Sequence, residues 1–202
     1  MKKCIKKLLI KFRNSCYLRL VNRYSTALSN VLNCYGLTEY PSINGEAALL
    51  KKLAITDNAD RAVFDVGANV GDWAALWISF TQKSNVFSFE LVSPVYEKLL
   101  HRYSQETRIH CFPYGLSDAN EQATISYIPN SNSGSSLNVL PWNKDKVKLP
   151  VTLRKGSDVA EELGVKEIFF LKIDTEGHEL NVLRGFDELL KQNKVKNIQF
   201  EY

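Results

Sequence analysis

The chain of 202 residues is long enough for one α/β domain and too short for two domains of ordinary size. Its 45% hydrophobic and 24% charged residues are typical of a folded protein, which excludes a disordered or fibrous chain. The four cysteines form no CxxC pair and have no metal-ligand spacing, so we expect a reduced, cytoplasmic protein without a disulfide framework or a zinc site.

The N-terminal segment is strongly basic. Residues 1–38 hold eight Lys and Arg side chains and no acid, although the formal net charge of the whole chain is only +4. Apolar residues recur there at helical spacing, which predicts a helix over about residues 2–23. This helix either lies on an anionic membrane or covers a sheet edge with its solvated face exposed. We therefore divide the chain into a basic helical arm, 1–58, and a domain, 59–202.

After a predicted helix over 44–55, short apolar strands alternate with helices. Strands are predicted over 62–66, 85–90 and 109–113, and helices over 72–80 and 95–103. Alternation of this kind requires parallel pairing with helical crossovers. The sequence therefore predicts an α/β protein with an open, mostly parallel sheet and helices on both faces.

The regular alternation pauses after residue 113. We expect edge strands over 123–128 and 149–153, and a polar loop over 130–136 that is either a mobile lid or a solvated hairpin tip. The run 168–174 is apolar on both faces, which is typical of a central strand. The remaining predicted elements are helices over 158–163 and 179–184, the second capped by Gly185, a helical stretch to residue 192 and a strand over 198–202.

The segment 63–72 joins a predicted strand to a helix through Gly67 and Gly71. Glycine permits positive φ and lets the backbone approach a ligand closely, while the start of the helix presents free N–H groups. Asn69, between the glycines, belongs to the residue types that tolerate a left-handed conformation. We therefore predict that Gly67, Ala68, Asn69 and Gly71 line a cofactor.

Two acids flank this loop at the ends of neighbouring predicted strands. Glu90 is placed to accept both ribose hydroxyls of an adenosine. Asp65 would repel a diphosphate but suits the ammonium of a methionine moiety. The loop alone could serve NAD or S-adenosylmethionine, and this charge pattern favours S-adenosylmethionine. Strand-end solvation or helix capping is the alternative role for both acids.

A second polar segment, 174–179, follows the predicted central strand. Ligands of open α/β sheets bind outside the carboxyl ends of strands. A hydroxyl nucleophile must lose its proton as it attacks, so Asp174 or Glu176 is the candidate base or acceptor-orienting group, with His178 as a helper. Alternatively, Glu176 and Glu179 are acids in the first turn of the helix that its dipole stabilises, and His178 is a solvated helix residue. No third metal ligand is evident, so we predict no metal.

Six segments occur in order between residues 61 and 202: FDVGANVGDW, FSFELVSP, PYGLSD, SGSSL, KIDTEGHELNVLRG and IQFEY. Together they resemble the FkbM-type methyltransferases. The segment KIDTEGHELNVLRG is the specific one, whereas most methyltransferases share the glycine loop.

The resemblance implies a Rossmann-like methyltransferase fold, S-adenosylmethionine as cofactor and methyl transfer to a hydroxyl oxygen, often on a sugar or natural product. It places Asp65 and the glycine loop at the methionine end of the cofactor and Glu90 at its ribose. It also places Ser117 and Asp118 near the adenine, although these two residues could equally form a simple turn.

Members of this family usually continue beyond the last segment, so the resemblance implies that the C-terminal strands are truncated. An exposed sheet edge would then invite homodimerisation. One alternative is a non-catalytic cofactor-binding or membrane-associated interaction protein. Nucleic-acid methylation through the basic arm is disfavoured by the acidic domain. We expect an enzyme that modifies a small-molecule or glycan hydroxyl in the cytoplasm or at the inner membrane surface.

Overall fold

The computed structural model describes residues 45–56, 61–127 and 147–200. The predicted helix 2–23 and the loop 130–136 lie outside these ranges, so membrane contact and a lid stay predictions. A boundary between two compact units falls between Leu53 and Ala54. It lies within the first described helix, α1 (Glu46–Ile55). None of the helices in the described ranges is both long and apolar enough to cross a membrane.

The second unit is an α/β structure. Its strands are β1 Ala62–Val66, β2 Asn85–Phe89, β3 Ile109–Phe112, β4 Gly115–Ser117, β5 Glu121–Tyr127, β6 Val147–Lys155, β7 Ile168–Ile173 and β8 Val195–Phe200. Its helices are α2 Asp72–Phe80, α3 Ser93–Arg102, α4 Gly156–Glu162, α5 Glu179–Gly185 and α6 Asp187–Lys191. The bounds of β1 and α2 are those predicted from the sequence.

The main sheet has five strands in the order β3-β2-β1-β7-β8, and every neighbouring pair is parallel. The chain proceeds outward from β1 to β3 and then returns to place β7 on the other side of β1. This reversal makes the β1–β7 junction a topological switch point, outside whose carboxyl ends ligands bind in open α/β sheets. The predicted fold class, an open and mostly parallel Rossmann-like sheet, is confirmed.

Apolar side chains cover both faces of this sheet. Phe170 of β7 stacks on Trp73 and Trp77 of α2, with ring centroids 5.4 Å and 5.8 Å apart. Side chains of successive strand residues point to opposite faces, and the neighbouring row of the sheet pairs Phe64 with Leu171. Phe64 shares a buried cluster with residues of α4 and α5. Helices therefore lie on both faces, as the alternating pattern predicted.

A second sheet of three strands has the order β4-β6-β5, with β4 parallel and β5 antiparallel to β6. Its β4 occupies a segment that could have been a turn, and β6 is longer than the predicted strand 149–153. Pairing between distant segments explains both differences, because β4 pairs with residues 153–155 and the start of β6 pairs with the end of β5. The predicted cap Gly185 is instead the last residue of α5, where a side chain would collide with the carbonyl oxygen of Ser117.

Candidate active site at the carboxyl ends of the parallel strands

The loop after β1 turns tightly against the end of β2. Gly67, Asn69 and Gly71 have φ of +80°, +51° and +84°. The backbone N–H groups of Gly67 and Ala68 both donate to the carbonyl oxygen of Phe89, each at 3.0 Å. A side chain on Gly67 would collide with the carbonyl oxygen of the residue that follows β7. The predicted cofactor loop is therefore built of left-handed residues and packed between two neighbouring strands.

Glu90 follows β2 and holds this loop through its carboxylate. One oxygen accepts a hydrogen bond from the Asn69 N–H at 2.9 Å, and the other accepts one from the Val92 N–H at 2.8 Å. The residue is only 7% exposed. Burial raises the pKa of Glu90, and the two backbone hydrogen bonds offset this only in part. Since a carboxylate has about four acceptor positions, these two hydrogen bonds leave others unused, and the predicted contact of Glu90 with a ribose stays a prediction.

Asp65 lies at the carboxyl end of β1 and is fully buried. Its carboxylate is 3.2 Å from the Nζ of Lys172, which lies beside it on β7. The same ammonium is 3.3 Å from the carboxylate of Asp174, whose side chain is 40% exposed. Asp65 therefore already faces an ammonium of its own chain. Its predicted contact with the ammonium of a cofactor stays a prediction.

The segment after β7 forms a second loop that leads into α5. Glu176 and Gly177 have left-handed φ of +53° and +103°. A single oxygen of Glu179 accepts hydrogen bonds from the N–H and hydroxyl of Thr175 and from the N–H of Gly177, each at 3.0 Å. Burial opposes ionisation of Glu179, but these hydrogen bonds prevail and lower its pKa. Glu179 thus fixes the loop that carries Asp174 and Glu176.

Glu176 lies on this loop and is exposed as a residue, although its carboxylate is partly desolvated. Its partial burial, together with the nearby carboxylates of Asp174 and Glu179, raises the pKa of Glu176. A carboxylate with a raised pKa accepts a proton more readily than an ordinary one. The structure thus places both predicted candidate bases on one loop at the end of β7.

Ser117, Asp118 and His178 form a third group, although the sequence analysis assigned them to different roles. The Ser117 hydroxyl oxygen is 3.0 Å from a carboxylate oxygen of Asp118 and 2.9 Å from Nε2 of His178. When the single hydroxyl proton is donated to Asp118, Nε2 of His178 must carry the proton that it shares with Ser117. Burial lowers the pKa of His178, and the surrounding carboxylates offset this only partly. Contact of this group with adenine or acceptor stays a prediction.

Lys172, whose ammonium contacts Asp65 of β1 and Asp174 after β7, was not among the site residues predicted from the sequence. The sequence feature that could have indicated it is a single lysine within the apolar run 168–173, because a charge in a buried strand requires a partner such as Asp65. Across the described ranges, no group of three or more His, Cys, Asp or Glu side chains is arranged to hold a metal ion.

Known proteins resemble this chain over most of its length. It is 30% identical to the AMB antimetabolite synthetase AmbE of Pseudomonas aeruginosa, a match that covers 70% of this chain and 8% of that protein. It is 26% identical to the hexuronic acid methyltransferase AglP of Haloferax volcanii, covering 74% of this chain and 59% of that protein. It is 22% identical to the 2-O-methyltransferase NoeI of Sinorhizobium fredii, covering 74% and 66%.

The chain therefore spans less than two thirds of the length of AmbE and of AglP. Among solved structures, the methyltransferase FkbM of Methylobacillus flagellatus is 21% identical, with a TM-score of 0.48, over 69% of this chain and 32% of that one. The family model described as the Methyltransferase FkbM domain matches residues 65–202. Because this match includes the glycine loop, Glu90 and the loop after β7, the chain belongs to the FkbM methyltransferase family.

Proposed function

We propose that this chain transfers a methyl group from S-adenosylmethionine to a hydroxyl oxygen of a small molecule or glycan. The observation that carries the proposal is the convergence of three features at the switch point of the parallel sheet. These features are the left-handed loop after β1, the buried acceptor Glu90 and the partly exposed carboxylate of Asp174. The names of AglP and NoeI, a hexuronic acid methyltransferase and a 2-O-methyltransferase, support an oxygen acceptor on a sugar.

The residues present fit an adenosyl cofactor better than a dinucleotide. Glu90 retains acceptor positions for two ribose hydroxyls. Asp65, Lys172 and Asp174 together carry a net charge of −1, because one ammonium serves two carboxylates. This negative charge disfavours a diphosphate near the glycine loop and suits the ammonium of a methionine moiety.

When bound, S-adenosylmethionine supplies a methyl group on a positively charged sulfur. The backbone of residues 67–71 and the carboxylate of Glu90 would hold the adenosyl and methionine parts against the ends of β1 and β2. Asp174 would accept a hydrogen bond from the acceptor hydroxyl and take its proton as attack begins. Glu176 on the same loop is the second candidate for this role. The chain thus acts chiefly by orienting the hydroxyl for an in-line displacement.

The first test is calorimetric titration of the full chain with S-adenosylmethionine, S-adenosylhomocysteine and NAD. We expect both adenosyl ligands to bind and NAD not to bind, and a preference for NAD would end the proposal. The second test measures methyl transfer from labelled S-adenosylmethionine to a panel of hexuronic acids and hexoses. D174N and E176Q should lower this transfer, whereas the control E161Q, which alters an exposed acid on α4, should leave it unchanged.

A further inference from the structure

Lys172 is a buried cation in the otherwise apolar central strand β7. Its side chain is 9% exposed, and its ammonium bridges the carboxylates of Asp65 and Asp174 at 3.2 Å and 3.3 Å. The two carboxylates differ in environment, since Asp65 is fully buried whereas Asp174 is 40% exposed at the mouth of the sheet. The ammonium thus connects an inaccessible acid with an accessible one.

The buried charges of Asp65 and Lys172 depend on each other. A carboxylate as deeply buried as Asp65 is tolerated only when a partner compensates its lost hydration. Burial also disfavours the charged form of Lys172, but the carboxylates of Asp65 and Asp174 outweigh this effect and raise the pKa of the lysine. The ammonium therefore remains charged and available to Asp174.

The main chain adds a second constraint on Asp174. Its N–H donates to the carbonyl oxygen of Val66, the last residue of β1, at 2.9 Å. The backbone of Asp174 is thus fixed to β1, and its side chain is fixed by Lys172, which pairs with Asp65 on the same strand. With its backbone and its carboxylate both held in place, the Asp174 side chain has few conformations available.

We propose that Lys172 is a positioning residue that fixes the carboxylate of Asp174 in the crevice, with Asp65 as its buried counter-charge. This inference rests on the proposed function, in which Asp174 receives the acceptor hydroxyl. It assigns Asp65 an effect through Lys172 instead of a contact with the cofactor. Asp65 and Lys172 then act as a pair that orients the carboxylate of Asp174.

The test compares K172M with the charge-balanced double variant D65N/K172M. K172M should lower the midpoint of urea unfolding, because it leaves Asp65 buried without its cation. D65N/K172M should recover most of that midpoint. It should keep the affinity for S-adenosylhomocysteine within about threefold but lower kcat for methyl transfer at least about tenfold, because Asp174 is no longer oriented. The control is K196M, which removes a lysine paired with Glu167 at 3.0 Å outside the crevice.

Two results would overturn the inference. Full activity in a stable D65N/K172M would show that Lys172 only neutralises Asp65. A second comparison uses 5′-methylthioadenosine, which lacks the amino-acid part of the cofactor. Selective loss of S-adenosylhomocysteine affinity in D65N/K172M, with 5′-methylthioadenosine binding retained, would show that Asp65 is a ligand of the amino-acid part.

Failure of the proposed function would be recognised separately, since the unaltered chain would then not bind S-adenosylhomocysteine. In that case the unfolding midpoints of K172M, D174N and K172M/D174N still decide whether Lys172 holds Asp174. Non-additive changes support the contact, and strictly additive changes overturn it.

Discussion

The loop after β1, residues 67–71, and the loop after β7, residues 174–178, perform the same turn in different ways. Each leads from a parallel strand into a helix through left-handed residues, and a glutamate accepts hydrogen bonds from the backbone of each. The first glutamate, Glu90, directly follows the neighbouring strand β2 and is almost completely buried. The second, Glu179, comes from the helix that the loop itself enters.

The two loops therefore depend on different contacts for their shape. The shape of the first loop depends on the register between β1 and β2, because its glutamate arrives from another strand. The shape of the second loop depends mainly on its own sequence, since its glutamate lies within five residues. We therefore expect changes at the first loop to affect cofactor binding and changes at the second to affect turnover.

Gly67 belongs to the first loop but contacts the second, so G67A should have the largest effect. Its φ of +80° strains any other residue, and a Cβ would collide with the Asp174 carbonyl oxygen. We expect a loss of about 3 kcal/mol or more in the free energy of urea unfolding. The matched control is G164A, with φ of +67° and nothing within 4 Å of the added carbon. Its expected loss is about 1 kcal/mol, and equal losses would refute the contact.

The next largest effect should follow E90Q, which tests the glutamate of the first loop. The amide replaces one of the two carboxylate acceptors by a donor, and hydrogen bonds to charged groups are worth about 1.5–3 kcal/mol. We expect S-adenosylhomocysteine to bind about 10 to 100 times more weakly by calorimetry. The exposed control E97Q on α3 should bind normally. Unchanged S-adenosylhomocysteine affinity in E90Q would show that Glu90 does not contact the cofactor.

The affinity of the unaltered chain should also depend on pH through Glu90. Burial raises the pKa of Glu90, so the carboxylate becomes protonated at a higher pH than an ordinary glutamate. Protonation removes acceptor positions, and S-adenosylhomocysteine affinity should therefore fall as the pH is lowered through this raised pKa. E90Q should remove that part of the pH dependence, and an identical profile in E90Q would assign it to another group.

A smaller effect should follow E179Q, which tests the second loop. Loss of the charged acceptor for Thr175 and Gly177 should lower the free energy of unfolding by about 1 kcal/mol. Because the pKa of Glu179 is lowered in the folded chain, this stabilisation is present above the ordinary glutamate pKa and is lost as the pH falls through the folded value. Turnover should fall while S-adenosylhomocysteine affinity holds. The exposed control E161Q should change neither.

The same comparison explains what the sequence could predict. Local signals place the first loop: a five-residue apolar strand, two glycines and an amphipathic helix, so β1 and α2 have the predicted bounds. Parallel alternation then brings Glu90 and the segment from Asp174 to the same edge, because carboxyl ends of parallel strands lie together.

Contacts set by register could not be predicted in this way. The pairing of Lys172 with Asp65 depends on how β7 aligns with β1, and the short strand β4 exists only because β6 lies beside it. Ser117 and His178 lie far apart in the sequence and meet only in the folded chain, so they were predicted to have separate roles. Pairing between distant segments is determined by tertiary packing, which propensity and periodicity do not describe.

The smallest effect should come from His178, where the second loop meets β4. Burial lowers the pKa of His178, so the folded chain binds fewer protons than the unfolded chain just below the ordinary histidine pKa. The free energy of unfolding should therefore decrease as the pH falls through that window, from about pH 6.5 downward. H178Q should remove this slope, measured by urea unfolding at several pH values, and the control H110Q on β3 should retain it. S117A, which removes the 2.9 Å hydrogen bond, should cost about 0.5–1 kcal/mol at neutral pH. An unchanged slope in H178Q would show that another group titrates in this window, and an unchanged free energy of unfolding in S117A would show that the contact with β4 does not stabilise the second loop.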